Sequence, residues 1–175
     1  MIGRAACVLA LLLAAACATS PASDAQHCNG AGAESASCHY ERAVALGNEA
    51  RAHPAQAGSI LNEMLASLSR AEAADPGYDF AGPARVRALV LARAPSWPLG
   101  PGDPEQALEA AQRAVMLHPE YPPNWLALAE SQAKTGAADR AHDSAARARE
   151  AALAMPPSAD RDEWLHEAAQ LLGGH

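Results

Sequence analysis

The chain has 175 residues and a formal net charge of −7. This length fits one folded domain with additional terminal segments, and the acidic balance argues against nucleic acid as a partner, because phosphate binding needs a basic surface. Half of the residues are hydrophobic but only 4% are aromatic, and no run alternates Val, Ile and Thr as strands do. We therefore expect an all-α fold whose helices pack over many small side chains.

The first 16 residues combine Arg4 with an apolar run from Ala5 to Ala16 and precede Cys17. The run is too short to span a membrane and is typical of an export signal. It resembles a bacterial lipoprotein signal, which implies cleavage after residue 16 and lipidation of Cys17. Because Ala18 follows the cysteine, the resemblance implies a periplasmic protein anchored to the outer membrane. An ordinary signal peptide with an incidental cysteine is the alternative.

Residues 17–37 comprise Cys17 and a tether of Ala, Ser, Gly, Pro and Asn without periodicity. Once the signal is removed and Cys17 acylated, Cys28 and Cys38 are the remaining thiols, and an oxidising compartment favours a disulfide between them. The adjacent His27 and His39 raise zinc as an alternative, but their spacing matches no common zinc motif. We expect neither a metal nor a cofactor.

The folded domain, residues 38–175, opens with a hairpin that starts near His39. Its second helix begins at Pro54 or Ala55, and apolar residues at intervals of three and four continue it to Ala74. The helix ends before Asp75-Pro76-Gly77, because Pro cannot continue a helix and Gly allows the chain to reverse.

A second hairpin opens at Gly82-Pro83, and its first helix stops before Pro95. A proline-rich insertion from Ala94 to Gly102 follows and is longer than an ordinary turn between repeat helices. Asp103 then predicts an N-cap, with Gln106 completing a capping box, for a helix that ends at Leu117.

A third hairpin extends from Asn124 to about Met155 and turns at Gly136. The last helix starts at Asp160 as N-cap, with Glu163 completing a capping box, and ends before Gly173-Gly174. This helix would cover the exposed side of the third hairpin, as the terminal caps of solenoids do.

Small residues indicate how the hairpins are arranged. Ala107 and Ala114 recur as Ala141 and Ala148, a shift equal to the length of the tetratricopeptide repeat. Close helix packing needs small residues at such positions. We therefore predict about three tetratricopeptide-like hairpins in a short right-handed solenoid with a C-terminal capping helix. An alanine-rich bundle that matches the repeat by chance is the alternative.

The second half resembles the T component of lipoproteins associated with TRAP transporters, the TatT family. The similarity lies in Gly82-Pro83, the segment from Ala94 to Gly100, Gly102-Asp103-Pro104-Glu105 and the Ala and Pro positions up to Leu128-Ala129-Glu130. The resemblance implies a periplasmic helical scaffold that binds a TRAP solute-binding subunit and helps to handle an organic ligand. Family members are usually longer on the N-terminal side, and whether this chain forms a homo-oligomer is left open.

No sequence motif predicts catalysis, so we expect a binding protein and not an enzyme. In a stack of hairpins the first helices line the concave surface. By register, the residues expected to face a partner are Val44, Asn48, Arg51, Arg87, Leu91, Leu126, Glu130 and Lys134. This mixture suits an acidic peptide or a partner's helix. The alternative is that these positions are solvated or covered by the N-terminal tether.

Trp97, flanked by prolines in the insertion, is the remaining candidate. One interpretation makes it an exposed anchor for a partner, since Trp is frequent in binding hot spots. The favoured interpretation makes it a plug that packs under the insertion against Val90 or Leu108. The resulting hypothesis is an accessory lipoprotein of TRAP-type solute uptake, and the alternative is a lipoprotein that scaffolds an envelope assembly or secretion complex.

Overall fold

A computed structural model describes residues 34–173 of the chain, and within this range the predicted all-α class is confirmed. A short 3-10 helix, Pro54–Gln56, separates the first two of seven α-helices. The α-helices are α1 (Ala36–Ala52), α2 (Ala57–Ala74), α3 (Tyr78–Arg93), α4 (Pro104–Leu117), α5 (Pro122–Lys134), α6 (Ala138–Leu153) and α7 (Ala159–Gly173). No helix in residues 34–173 is both long and apolar enough to cross a membrane.

The helices pack as neighbouring pairs, α1 with α2, α3 with α4 and α5 with α6. The last helix, α7, packs against α6 and α5. The first helices of successive pairs also touch, α1 with α3 and α3 with α5. As a result α3, α5 and α7 are neighbours along one side of the molecule.

Alanine forms most of the core because it lets helices approach closely. Fully buried alanines occur in every α-helix of the described range, for example Ala43, Ala71, Ala88, Ala129 and Ala145. Larger side chains fill the spaces between pairs, such as Met64 and Leu68 from α2. The core thus consists of several close helix–helix contacts and not of one large apolar centre.

Most helix ends follow the predicted signals. Ser35 caps α1, which begins at Ala36, slightly before the predicted start near His39. Asp103 caps α4, since its Oδ1 accepts the amide of Gln106 at 3.0 Å. The Gln106 side chain donates to Asp103 Oδ2 instead of reaching back to the Asp103 amide, which bonds the carbonyl of Leu91. The second half of the predicted capping box is therefore wrong.

The cap of the last helix also differs from the prediction. Ser158, not Asp160, caps α7, because its Oγ accepts the amide of Arg161 at 3.1 Å. Asp160 lies within the first turn instead. Both residue types suit an N-cap, and the helix begins with the earlier one.

The second pair opens with a turn that the sequence did not predict. Asp79, Phe80 and Ala81 have left-handed φ values of 50°, 54° and 62°. The right-handed part of α3 follows with Gly82-Pro83, where the prediction placed the helix start. Left-handed backbone costs about 1–2 kcal/mol for each L-residue, so the contacts made by this turn must offset a substantial penalty.

The proline-rich insertion between α3 and α4 is held by backbone hydrogen bonds. The amide of Gly102 donates to the carbonyl of Pro95 at 2.9 Å, and the amide of Leu99 donates to the carbonyl of Ser96 at 3.1 Å. A Cβ at Gly102 would overlap the carbonyl of Ala94. The backbone of Leu99 also lies close to Gly58 at the start of α2. We call residues 94–102 the proline loop.

Candidate binding cleft

A cleft of about 100 Å³ opens on the side where α3, α5 and α7 are neighbours. Each of the three helices contributes side chains to its wall. The lining residues are Arg85, Leu89, Pro123, Leu126, Ala127, Trp164 and Glu167. Most of this surface is apolar. The cleft is smaller than pockets for small molecules, which usually enclose about 300–1,000 Å³.

Arg85, which lines the cleft, is held in place by a dense set of hydrogen bonds. Its Nη2 donates to Asp79 Oδ2 at 2.9 Å. Its Nη1 shares two hydrogens among three acceptors, the carbonyls of Asp79 and Phe80 and Asn124 Oδ1, which lie at 3.1–3.2 Å. Because a buried guanidinium is costly without acceptors, these bonds offset the cost of burying the Arg85 charge in the cleft wall.

The left-handed turn supplies most of the acceptors for Arg85. It directs the carboxylate of Asp79 and two carbonyls toward one guanidinium. Asp79 Oδ2 also accepts the hydroxyl of Tyr40 at 2.9 Å. Burial raises the pKa of Tyr40 to about 12, with a smaller contribution from the Asp79 charge. The strain of the turn is thus compensated by a polar network that joins α1 to α3.

Asn124 connects the same network to the third pair. Its side chain is fully buried, with 0% exposed. The amide Nδ2 lies within 3.0–3.1 Å of the carbonyls of Phe80, Ala114 and His118. One side chain therefore bonds the start of α3, the end of α4 and the turn before α5.

Aromatic side chains gather at the end of the cleft next to this network. Tyr121 stacks on Phe80 with ring centroids 4.6 Å apart and meets Trp164 edge to face at 5.4 Å. The guanidinium of Arg85 lies 5.0 Å from the Tyr121 centroid, within cation–π range. Tyr40 and Tyr78 form another edge-to-face pair. Five of the seven aromatic residues of the chain are therefore concentrated in this region.

A second polar group spans the three helices at the rim. Arg93 of α3 makes a bidentate pair with Glu130 of α5, with its shortest contact at 2.6 Å. Glu167 of α7 lies 4.0 Å from the same guanidinium. Burial raises the pKa of Glu167, and the charge of Arg93 opposes that effect. Both arginines near the cleft already have carboxylate partners.

The structure places the predicted partner-facing residues in different environments. Leu91 and Leu126 are 3% and 4% exposed, so the expectation that they face a partner freely is wrong. Leu91 packs against Ala107 of α4. Leu126 packs against Ala148 of α6 and Ala168 of α7 and also lines the cleft. Sequence register alone did not reveal how much α4 and α7 cover.

The remaining predicted contacts do not line the cleft. Arg87 donates to Ser69 of α2 at 2.5 Å, and Glu130 belongs to the rim pair with Arg93. The side chains at the other four predicted positions are exposed: Val44, Asn48, Arg51 and Lys134. None of these four lines the cleft.

Trp97 is 87% exposed, which rules out the plug that was expected under the proline loop. Its neighbour Leu99 is 78% exposed. The loop is held by its backbone hydrogen bonds and not by burial of its two largest side chains. Whether Trp97 anchors a partner stays a prediction.

The N-terminal predictions lie largely outside residues 34–173. The signal segment, Cys17, His27 and Cys28 are not among the described residues. Cys38 is buried at the start of α1, and its pairing with Cys28 stays a prediction. Within residues 34–173 no group of three or more His, Cys, Asp or Glu could hold a metal ion.

Comparison with known proteins assigns no family. No protein-family model and no curated protein matches this sequence. The cleft lining includes no Ser, Thr, Cys or His that could act as a nucleophile. The expectation that the chain is not an enzyme stays a prediction.

Proposed function

We propose that this chain is a periplasmic protein-binding scaffold, an accessory lipoprotein of a TRAP-type solute uptake system. The observation that carries the proposal is the cleft between α3, α5 and α7, whose wall is mostly apolar and whose buried arginine is already satisfied by Asp79 and Asn124. A cleft of this kind accepts an apolar side chain from a partner without leaving a buried charge unpaired.

We further infer that the helical pairs are tetratricopeptide-like repeats in a short right-handed solenoid, with α7 as the cap. Two features support this inference. The first helices of successive pairs lie side by side, as they do along the concave surface of a solenoid. Ala107 and Ala114 of α4 correspond to Ala141 and Ala148 of α6 after one repeat length, and all except Ala141 are fully buried.

The proposal also includes an outer-membrane anchor at a lipidated Cys17. Its support is the short apolar segment before that cysteine. Metabolic labelling with radioactive palmitate tests the anchor. Incorporation that disappears in Cys17→Ser is the expected result, and an unlabelled parent chain contradicts lipidation.

The partner is tested by affinity capture from periplasmic extract with the chain carrying Cys17→Ser. We expect mass spectrometry to identify a solute-binding subunit. A Leu89→Gln substitution places an amide in the cleft and should reduce this capture severalfold, because an unpaired amide in an apolar contact costs about 1–3 kcal/mol. The matched control is Leu117→Gln, which changes a partly exposed leucine of α4 outside the cleft.

The outcomes separate the two functional hypotheses. Capture of envelope assembly or secretion components would refute the transport role and support the alternative scaffold. Equal capture by Leu89→Gln and Leu117→Gln would refute the cleft as the contact surface even if the partner is correct.

A further inference from the structure

The proline loop is the most exposed apolar feature in the described part of the chain. Trp97 and Leu99 project from it with 87% and 78% of their surface exposed. The loop contains no charged residue between Arg93 and Asp103. Large exposed apolar side chains that lie together mark a contact with a partner or a membrane.

Backbone hydrogen bonds hold the loop that carries both side chains. The amide of Gly102 bonds the carbonyl of Pro95, and the amide of Asp103 bonds the carbonyl of Leu91 at 3.0 Å, which closes the base of the loop on α3. Three prolines restrict φ along the same segment. Because the loop is already ordered, a contact at its tip would lose little conformational entropy.

The chemistry of the tip matches the interface of a lipid bilayer. Trp is enriched at the level of the headgroups, where its ring lies in an apolar layer and its N–H meets polar acceptors. Within residues 34–173 the indole N–H of Trp97 has no hydrogen-bond partner. The adjacent Leu99 adds an aliphatic side chain that inserts without any polar group to desolvate.

The small size of the tip favours a bilayer over a protein partner. A stable protein interface buries about 800 Å² on each partner, whereas a Trp side chain buries roughly 150–250 Å². A bilayer requires no shape complementarity, and a weak contact there can act together with a separate anchor. A neutral loop also avoids repulsion between the acidic chain and anionic lipids.

We propose that Trp97 and Leu99 insert into the interfacial layer of a phospholipid bilayer and orient the domain on the membrane surface. This inference rests on the proline loop alone. It depends neither on lipidation of Cys17 nor on the partner assigned to the cleft.

The test follows the fluorescence of Trp97 in the full chain with Cys17→Ser, Trp125→Phe and Trp164→Phe, which leaves Trp97 as the single tryptophan. The probe is a vesicle of phosphatidylethanolamine and phosphatidylglycerol with brominated acyl chains. We expect a blue shift and quenching of the Trp97 emission that both increase with lipid concentration, as a weak contact without the lipid anchor requires, and that change little at high salt because the contact is apolar. Far-UV circular dichroism checks the fold of this variant, and the difference between the parent and Trp97→Phe supplies the same signal with both other tryptophans intact.

The site-specific signal separates loop insertion from binding elsewhere in the chain. Met116→Ser is the matched control, since Met116 is 75% exposed on α4 and its loss should leave the quenching of Trp97 unchanged. Leu99→Ser should weaken the quenching. Unchanged Trp97 emission in chains that sediment with the vesicles would overturn the proposal. Loss of protein capture by Trp97→Ser would then assign the loop to a protein partner.

Discussion

Replacement of Asn124 by Ala is the most informative perturbation of the polar network. Asn124 is the buried residue at which the second and third helical pairs meet. The substitution removes the side-chain amide while keeping a residue that is favourable in a helix. We expect a large loss of stability without a change in helix content.

The magnitude follows from the hydrogen bonds. The amide has two hydrogens that serve three carbonyls, and its oxygen accepts from Arg85. The carbonyl of Ala114 keeps the amide of His118, and the carbonyl of Phe80 keeps Arg85, so these acceptors do not lose every partner. At about 1 kcal/mol for each net hydrogen bond, the free energy of unfolding should fall by about 2–4 kcal/mol.

Urea unfolding followed by far-UV circular dichroism measures this change. The control is Asn62→Ala in α2, where an exposed side chain donates only to the carbonyl of Gly58 at 3.0 Å. Its effect should lie within about 0.5 kcal/mol of zero. If Asn124→Ala costs no more than Asn62→Ala, the network does not stabilise the fold and the reasoning is refuted.

Three further predictions concern a tyrosine, a loop and a helix cap. The pKa of Tyr40 is raised from 10.0 to about 12 in the folded state, so its stabilising contribution is complete below pH 10 and is lost as the pH rises toward 12. The free energy of unfolding of Tyr40→Phe should therefore depend less on pH in that window than that of the parent. An equal dependence would contradict the shift. Gly102→Ala should lower Tm more than Gly136→Ala, because a Cβ at Gly102 overlaps the carbonyl of Ala94. Gly136 has open space around it, so an alanine there incurs only the left-handed penalty of about 1–2 kcal/mol. The reverse order in a thermal melt would refute the tight packing of the loop. Ser158→Ala should reduce stability by about 1 kcal/mol, and chemical denaturation that finds Asp160→Ala more damaging would restore the predicted cap.

Much of the helical arrangement was predictable because local signals mark the helix ends. Asp75-Pro76-Gly77 ends α2, and Asp103-Pro104 begins α4. These signals act through φ restriction, a missing amide hydrogen and side-chain caps, so each operates within a few residues. The left-handed turn before Gly82 had no such signal. Its formation depends on contacts with residues far away in the chain.

The candidate cleft was only partly predictable. The register predicted that Leu126 faces a partner, whereas its side chain packs against α6 and α7 and lines the cleft. Arg85 and Asn124 were not predicted as functional residues. A buried arginine and asparagine separated by 39 residues leave no local pattern, although each polar residue within an alanine-rich helix was a weak indication.

The expected burial of Trp97 failed for a different reason. Large aromatic side chains are usually buried, and that tendency favoured a plug. The proline loop is instead held by backbone hydrogen bonds and by close approaches at Gly58 and Gly102. The sequence composition indicated an unusual segment. It did not indicate that backbone atoms, and not the Trp97 side chain, hold this segment in place.

The polar network also bears on how the molecule unfolds. In a chain of stacked hairpins, each pair touches only its neighbours, so the terminal pairs can open one at a time. Here Tyr40 of the first pair and Asn124 of the third both bond the same Asp79 and Arg85 group in the second. Opening of either outer pair removes a partner from the shared group. The three pairs should therefore lose their structure in a single cooperative transition.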